Sequence, residues 1–303
     1  MKYEMAIVVV TFNNERHVGQ LLDSIVKYVD TTSTPVVIVD NNSCDKTVEL
    51  LLERKIEGVT VVCESFNHGF GVGNNIGIGK VDAAYYFLLN SDAFLVAGSH
   101  VQALNFLKSN PRIGVVGLPL VFPDGSPQTY SYPYTSPTKM LMQAVGVQHV
   151  FMWFARFSLV KKAMLRVSIS RDYIESQTRK NIDFNNLNIS KDINFVRSDW
   201  VCGAAMILSR DLVKETGGFD PNIFLYGEDE DLCIQASALG YDVGVLNVVP
   251  IVHEFGWGKN KSKSSYSDAK YKSLSYFIKK NHSGFRRLLM LVIIRFKFKG
   301  IFN

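Results

Sequence analysis

The sequence has 303 residues, of which 47% are hydrophobic, enough for one large or two modest domains with a core and too many for a disordered chain. Its net charge of +5 is unevenly placed, because residues 259–303 hold twelve Lys or Arg and one acidic residue, Asp268. The positive charge therefore belongs to the C-terminal segment. The first apolar run, residues 5–10, is too short for a signal peptide or a membrane span, so a cytoplasmic protein is expected.

Strand and helix patterns alternate along the first ninety residues. Apolar runs predict buried strands at 5–10 and 36–39 and further strands at 59–63 and 85–89. Apolar residues at helical spacing predict helices at 18–29 and 48–52. This order predicts an α/β fold with a mostly parallel sheet flanked by helices. Further along, residues 200–208 predict one more buried strand, and 166–197 predict a polar surface loop.

Polar clusters follow the predicted strands, where the ligands of a parallel sheet gather. Asp40 can accept a hydrogen bond from a uracil or thymine N–H or from a ribose hydroxyl, or it can cap a helix beginning near Asp45. The segment 67–75 contains glycines that allow a close approach of ligand and Asn side chains that can hold a diphosphate or ribose; it can also be an ordinary strand-to-helix loop. Asp92 is either an oxygen ligand for Mg²⁺ or Mn²⁺ or a turn residue.

Four successive carboxylates, Glu228-Asp229-Glu230-Asp231, need a cation, a helix dipole or a proton to relieve their repulsion. They predict a helix N-terminus, and a carboxylate with a raised pKa there could act as a general base. On a helix they point in different directions, so only one or two can face one site. His253 follows another apolar strand and is either a structural residue or a ligand.

In this order, the motifs resemble the family 2 glycosyltransferases, in particular the bacterial rhamnosyltransferase-like subgroup, over residues 4–257. The segments that carry the resemblance are Val8-Val9-Val10-Thr11-Phe12-Asn13, Val39-Asp40-Asn41-Asn42-Ser43, Asn67-His68-Gly69-Phe70-Gly71 with Asn74, Leu88-Leu89-Asn90-Ser91-Asp92, and Gly217-Gly218-Phe219-Asp220 leading to the acidic run.

The resemblance implies a GT-A fold, a Mn²⁺ or Mg²⁺ cofactor and inverting transfer of a hexose from a UDP- or dTDP-sugar, with dTDP-rhamnose suggested by the subgroup. Asp229 would be the catalytic base, and Asp92 and His253 would hold the metal, although Asn90 stands where the family's metal motif has its first Asp. The residues expected to bind the sugar nucleotide are Thr11, Asn13, Asp40, Asn42, Asn67, Gly69, Asn74, Asn90 and Ser91.

Three segments are expected: a nucleotide-sugar-binding half at 1–115, an acceptor-binding and catalytic half at 116–258, and a basic amphipathic extension at 259–303. Residues 284–303 combine a run of seven apolar residues, 288–294, with basic residues on both sides of it, which predicts attachment to the inner face of the cell membrane rather than packing on the body or a second subunit. A homodimer stays open, and nucleic acid is not expected. The acceptor is expected to be a lipid-linked saccharide of a bacterial surface polysaccharide. The rival hypotheses are a nucleotidyltransferase and a non-catalytic sugar-nucleotide or glycan-binding module.

Overall fold

Eight strands form the central sheet of the computed structural model, which describes residues 2–144, 193–254 and 263–299. In spatial order the strands are β3, β2, β1, β4, β11, β6, β12 and β9, and six of them run in one direction while β11 and β9 oppose them. The strands of the chain are β1 (Tyr3–Thr11), β2 (Val36–Asp40), β3 (Val59–Cys63), β4 (Ala83–Asn90), β5 (Ala93–Phe94), β6 (Ile113–Gly117), β7 (Leu120–Val121), β8 (Ser131–Tyr132), β9 (Phe195–Arg197), β10 (Trp200–Val201), β11 (Ala205–Ser209), β12 (Asp242–Leu246) and β13 (Ile251–His253).

The helices cover the sheet. They are α1 (Glu15–Tyr28), α2 (Thr47–Glu53), α3 (Phe70–Gly79), α4 (Ser99–Lys108), α5 (Pro137–Ala144), α6 (Arg210–Thr216), α7 (Glu228–Ala238), α8 (Lys263–Asn281) and α9 (Gly284–Lys299). The predicted α/β fold and mostly parallel sheet are confirmed, since β3, β2, β1 and β4 pair in parallel.

The core forms where the sequence has its unbroken apolar runs. The side chains from Met5 to Val9 on β1 are buried on both faces of the sheet, because helices lie on each side. Helix α3 approaches closely because it presents glycine to the strand: a Cβ on Gly73 would lie 2.8 Å from the Val10 side chain. This close contact sets the N-terminus of α3 at the carboxyl edge of the sheet.

Two sequence predictions need correction. Residues 200–208 are two strands, β10 and β11, because the backbone turns at residues 202–204, where the N–H groups of Cys202 and Gly203 donate to Tyr130 O and to the Asp229 carboxylate. The predicted loop at 166–197 lies outside the described residues up to 192, and its last three residues form the edge strand β9.

The C-terminal helices α8 and α9 pack on each other around a second small core containing Phe277, Ile278, Met290 and Ile294. In the described part of the chain, no helix has the length and hydropathy needed to cross a bilayer.

Candidate active site

The carboxyl ends of β1, β2 and β4 bring the predicted donor-binding residues to one edge of the sheet. Thr11 lies opposite Asp40 in the β1–β2 ladder, and Asn90 lies opposite Val10 in the β1–β4 ladder. Thr11 is buried, and among the described residues its hydroxyl has no hydrogen-bond partner. A buried hydroxyl without a partner is costly, so Thr11 suits contact with a polar ligand.

Asp40 is held by the turn that follows β2. Its two carboxylate oxygens accept from the backbone N–H of Ser43, at 2.8 Å, and from the Ser43 hydroxyl, at 2.5 Å. The alternative role as a helix cap is not observed, because α2 begins at Thr47 and Asp45 accepts the Thr47 N–H instead. Asp40 is therefore a fixed carboxylate whose remaining lone pairs could accept from a base or ribose.

Two asparagines give this edge its shape. Asn13 and Asn42 have positive φ, 49° and 64°, a conformation that Asn tolerates better than most residues. The Asn13 N–H donates to the Ser43 hydroxyl at 2.7 Å, and its side-chain oxygen accepts from the Cys44 N–H. The loops after β1 and β2 are thus joined into one surface.

The loop before α3 is joined to the same edge and to the segment before α7. The Asn41 side chain donates to Gly69 O at 3.0 Å, and the Asn67 side chain accepts from the Gly69 N–H. Gly69 has a φ of +86°, and a Cβ there would collide with Phe224 O, so no other residue fits without distortion. Asn74, by contrast, is buried and donates to Phe70 O within its own helix.

The predicted metal ligands Asp92 and His253 lie together, with His253 Nε2 3.3 Å from Asp92 Oδ1. Sequence reasoning did not identify Gln128, whose side chain donates to His253 O and whose Oε1 lies 2.9 Å from His253 Nδ1. Because a backbone carbonyl only accepts, the Gln128 amide must donate there and present its oxygen to Nδ1. The hydrogen therefore sits on Nδ1, and Nε2 faces the carboxylate.

This pair fits a divalent cation. An unprotonated Nε2 and a carboxylate oxygen repel each other unless a proton or a metal ion lies between them. Two neighbouring ligands of an octahedral ion with bonds of about 2.1 Å are about 3.0 Å apart, close to the 3.3 Å between His253 Nε2 and Asp92 Oδ1. A hydrogen bond from the far ring nitrogen is the usual support of a ligating His. Among the described residues no group of three or more His, Cys, Asp or Glu could hold a metal. A cation held by this pair would take its remaining ligands from oxygen atoms of a bound ligand and from water.

Three further residues, not predicted, hold the turn that carries Ser91. Asn14 donates to Ser91 O at 2.8 Å and pairs with His17 Nδ1 at 2.7 Å, while His17 Nε2 lies 3.0 Å from a Glu254 carboxylate oxygen. The Glu254 N–H also donates to Asp92 O. Helix α1 is thereby tied to both Asp92 and the residue after His253.

The four carboxylates at the start of α7 separate as expected for a helix. Asp231 is fully buried and pairs with Lys280 and Asn281 of α8, and Glu230 accepts from the N–H and hydroxyl of Thr135. Burial raises the pKa of Glu230 to about 7 and raises the pKa of Glu228, where the Asp229 charge adds to the effect. Only Asp229 faces the turn at 202–204.

Asp229 accepts from the Gly203 N–H at 3.3 Å and from the Glu230 N–H at 2.9 Å. Burial raises its pKa despite these hydrogen bonds. The same turn contacts the end of β4, because Ala204 O accepts from the Asn90 N–H, two residues before Asp92. Burial, followed by the charges of Asp229, Glu228 and Asp92, raises the pKa of Cys202 to about 12. The base candidate therefore contacts the turn directly, and the metal candidate is joined to it through Asn90.

This geometry is a partly buried carboxylate with a raised pKa and a His–carboxylate pair that fits a divalent cation, both at the carboxyl edge of a parallel sheet. The roles assigned to the individual residues from the sequence stay predictions. Asp231 and Asn74 both have hydrogen-bond partners within the fold, and the role of Asn74 in sugar-nucleotide binding stays a prediction.

The sequence is similar to curated rhamnosyltransferases. An N-acetylglucosaminyl-diphospho-decaprenol L-rhamnosyltransferase of Mycobacterium tuberculosis is 22% identical over 297 residues, covering 93% of this chain and 86% of the relative. The rhamnosyltransferase WbbL of Escherichia coli is 22% identical over 275 residues, covering 87% of each chain.

Solved structures with the same fold are glycosyltransferases of the GT-A class. A Staphylococcus aureus TarS structure spanning residues 1–349 superposes with a TM-score of 0.54 at 15% identity, covering 97% of this chain and 72% of that chain. The mannosyltransferase PcManGT of Pyrobaculum calidifontis, bound to GDP-Man and Mn²⁺, gives 0.52 at 16% identity, covering 98% and 69%. The sequence model of glycosyl transferase family 2 matches residues 6–166, more than half of the chain. The chain belongs to glycosyl transferase family 2.

Proposed function

We propose that this glycosyltransferase is an inverting, divalent-metal-dependent enzyme. It transfers a hexose from a UDP- or dTDP-sugar, dTDP-rhamnose first among the candidates, to a lipid-linked saccharide in bacterial surface polysaccharide assembly. The rhamnosyltransferase relatives support the donor and the lipid-linked acceptor. The observation that carries the proposal is the turn at residues 202–204, which contacts Asp229 through the Gly203 N–H and Asn90, two residues before Asp92, through Ala204 O.

The donor would lie along the carboxyl edge of the sheet. Thr11 and Asp40 would contact the base or ribose, and the other edge residues would line the sugar-nucleotide site: Asn13, Asn42, Asn67, Gly69, Asn90 and Ser91. Bound by Asp92 and His253, Mn²⁺ or Mg²⁺ would neutralise charge that develops on the leaving diphosphate. Residues 1–115 would form the donor half and 116–258 the acceptor half.

Asp229 would accept the proton of the acceptor hydroxyl. The freed oxygen attacks the anomeric carbon from the face opposite the nucleotide, the bond from that carbon to the diphosphate oxygen breaks, and the nucleoside diphosphate leaves with the electron pair. One displacement inverts the anomeric configuration. A pKa raised by burial makes Asp229 a stronger base than an exposed Asp, and the Gly203 N–H orients its carboxylate.

The acceptor lipid would be reached from a membrane surface through helix α9. One face of α9 packs on the body through Met290, Ile293 and Ile294. The opposite face exposes apolar side chains at i, i+3, i+4, i+7 and i+11, with exposed basic residues on the same helix. The exposed apolar residues are Phe285, Leu288, Leu289, Val292 and Phe296, and the exposed basic ones are Arg286, Arg287, Arg295 and Lys297.

A helix with this pattern suits the headgroup region of an anionic leaflet, where the apolar stripe inserts and the cations meet lipid phosphates. Helix α9 packs on the body with one face, and the exposure of its other face supports the proposal of membrane attachment. Residues 300–303 of the predicted membrane segment lie outside the described residues. The enzyme would work in the cytoplasm at the inner face of the membrane.

The test begins with thermal shifts in a panel of UDP-, dTDP- and GDP-sugars with Mn²⁺, followed by transfer to a polyprenyl-diphosphate N-acetylglucosamine acceptor with Mn²⁺ or with EDTA. We expect stabilisation by a UDP- or dTDP-sugar and Mn²⁺-dependent transfer that inverts the anomeric configuration. Binding without turnover across a broad acceptor panel would favour a non-catalytic binding module. Formation of a sugar nucleotide from a sugar phosphate would favour a nucleotidyltransferase.

A further inference from the structure

One face of helix α8 contacts the segment that contains Asp229, residues 220–231, at successive turns of the helix. The Ser273 hydroxyl accepts from the Leu225 N–H at 3.2 Å, and Lys270 Nζ lies 3.7 Å from the centroid of the Tyr226 ring. The Phe277 ring lies against Gly227, where an added Cβ would be 3.3 Å from the ring.

Lys280 joins the two ends of that segment. Its ammonium group donates to Asp220 Oδ2 at 2.6 Å and to Asp231 Oδ2 at 2.8 Å. The other Asp231 oxygen accepts from the Asn281 side chain at 2.8 Å. Asp231 is fully buried, so its charge must be compensated by partners of this kind. Because Asp231 and Asp229 share the first turn of α7, this pair fixes the position of the turn.

The segment also has a backbone that needs support from outside. Tyr226 and Gly227 have φ values of 70° and 104°, so two consecutive residues are left-handed immediately before α7, and Tyr226 is not a glycine. Such conformations persist where surrounding contacts over-determine them. Here the contacts come from α8, through Lys270, Ser273 and Phe277.

We propose that α8 is a brace that positions Asp229, with Lys280 as the positioning residue that acts through Asp231. The inference rests on the proposed role of Asp229 and adds a function for the C-terminal segment. Lys280 itself touches no reacting group; it sets where the Asp229 carboxylate stands relative to the Asp92–His253 pair. General-base catalysis depends on that placement, since small displacements of a catalytic group lower the rate steeply.

The test compares Lys280→Met with Lys279→Met. The control removes an exposed ammonium from the preceding residue of the same helix, which has no part in the contacts with Asp220 and Asp231. For Lys280→Met we expect kcat for sugar transfer to fall about tenfold or more while the donor KM stays within about twofold. Hydrogen exchange in residues 220–231 should accelerate while exchange in β1 and β4 is unchanged. Lys280→Arg should restore much of kcat, because a guanidinium can also reach both carboxylates.

The proposal that α8 positions Asp229 is wrong if Lys280→Met transfers sugar at the Lys279→Met rate and hydrogen exchange in residues 220–231 is unchanged. A parallel loss of donor affinity, melting temperature and kcat, without rescue by Lys280→Arg, would make Lys280 a general stabiliser and also overturn it. If Lys280→Met fails to fold, Ser273→Ala, which deletes one hydroxyl, should give a smaller change in the same direction. Should the wild-type protein transfer no sugar, the proposed function fails, and the exchange data alone decide the brace.

Discussion

Replacement of Glu230 by Gln is expected to stabilise the metal-free protein in alkaline solution and to leave its stability in acid nearly unchanged. Glu230 lies in the first turn of α7, is 3% exposed and accepts from the N–H and hydroxyl of Thr135. Gln can accept the Thr135 N–H and donate to the Thr135 hydroxyl, so it reproduces the protonated carboxyl without the buried charge.

The size of the effect follows from the two protonation equilibria. Burial raises the pKa of Glu230 from 4.5 in the unfolded chain to about 7 in the folded protein. Since the folded state binds the proton more tightly, the contribution of the protonated carboxyl to stability is complete below about pH 4.5 and is lost as the pH rises through about 7. The loss amounts to about 3 kcal/mol at pH 8.5, or about 5 °C in melting temperature for a chain of this length.

Thermal unfolding of the wild type, Glu230→Gln and Glu53→Gln at pH 5 and pH 8.5 measures this difference. Glu53→Gln is the matched control, because it removes an exposed carboxylate from α2. The melting temperature of Glu230→Gln should exceed that of the wild type at pH 8.5 and match it at pH 5. Equal stability at both values, or a less stable Glu230→Gln protein at pH 8.5, would refute the buried, destabilising charge.

Gln128→Leu should weaken Mn²⁺ binding in the presence of nucleoside diphosphate about 10- to 100-fold, because His253 loses the partner that fixes its tautomer. Electron paramagnetic resonance of free Mn²⁺ measures the affinity, and an unchanged value would contradict the role of His253 as a metal ligand. Gly203→Val should lower kcat with little effect on donor binding, because a Cβ added at Gly203 would lie 2.9 Å from the Phe70 ring and 3.8 Å from the Asp229 Cβ. A normal kcat would show that the turn tolerates displacement. Leu288→Asp should reduce cosedimentation with vesicles of phosphatidylcholine and phosphatidylglycerol in a 3:1 ratio and leave transfer to a water-soluble acceptor unchanged; full cosedimentation would count against lipid docking by α9.

The sequence predicts the parts of this fold that depend on local pattern. Runs of β-branched residues identify β1 and β2, because a strand covered by helices on both faces must be apolar along most of its length. The positions of Thr11, Asp40 and Asn90 at one edge follow from parallel pairing alone. Local pattern left Asp92 and His253 each with two alternatives, and only the family resemblance paired them as metal ligands; the structure places them 3.3 Å apart.

The features that sequence did not reveal depend on contacts between distant segments. Gly203 is a local sign that the strand at 200–208 is interrupted, but the hydrogen bond of its N–H to a carboxylate 26 residues later in the chain has no local signal. Gln128 supports His253 across 125 residues, and Lys280 holds Asp231 across 49. Contacts between distant residues leave no periodic pattern in the sequence. The separate partners of the four acidic residues at the start of α7 are therefore visible only in the structure.

The central claim is that Asp229 is the base of a sugar transfer, and Asp229→Asn tests it most directly. Transfer with Mn²⁺ and donor binding are both measured for this variant and for Asp268→Asn, a control that changes an exposed carboxylate of α8. Asn keeps the shape of the side chain and can still accept from the Gly203 N–H, but it cannot take a proton from the acceptor. The account predicts a loss of about 10² to 10⁴ in kcat with unchanged affinity for the Mn²⁺–donor complex, whereas Asp268→Asn should behave as wild type. Transfer by Asp229→Asn at the wild-type rate would contradict it.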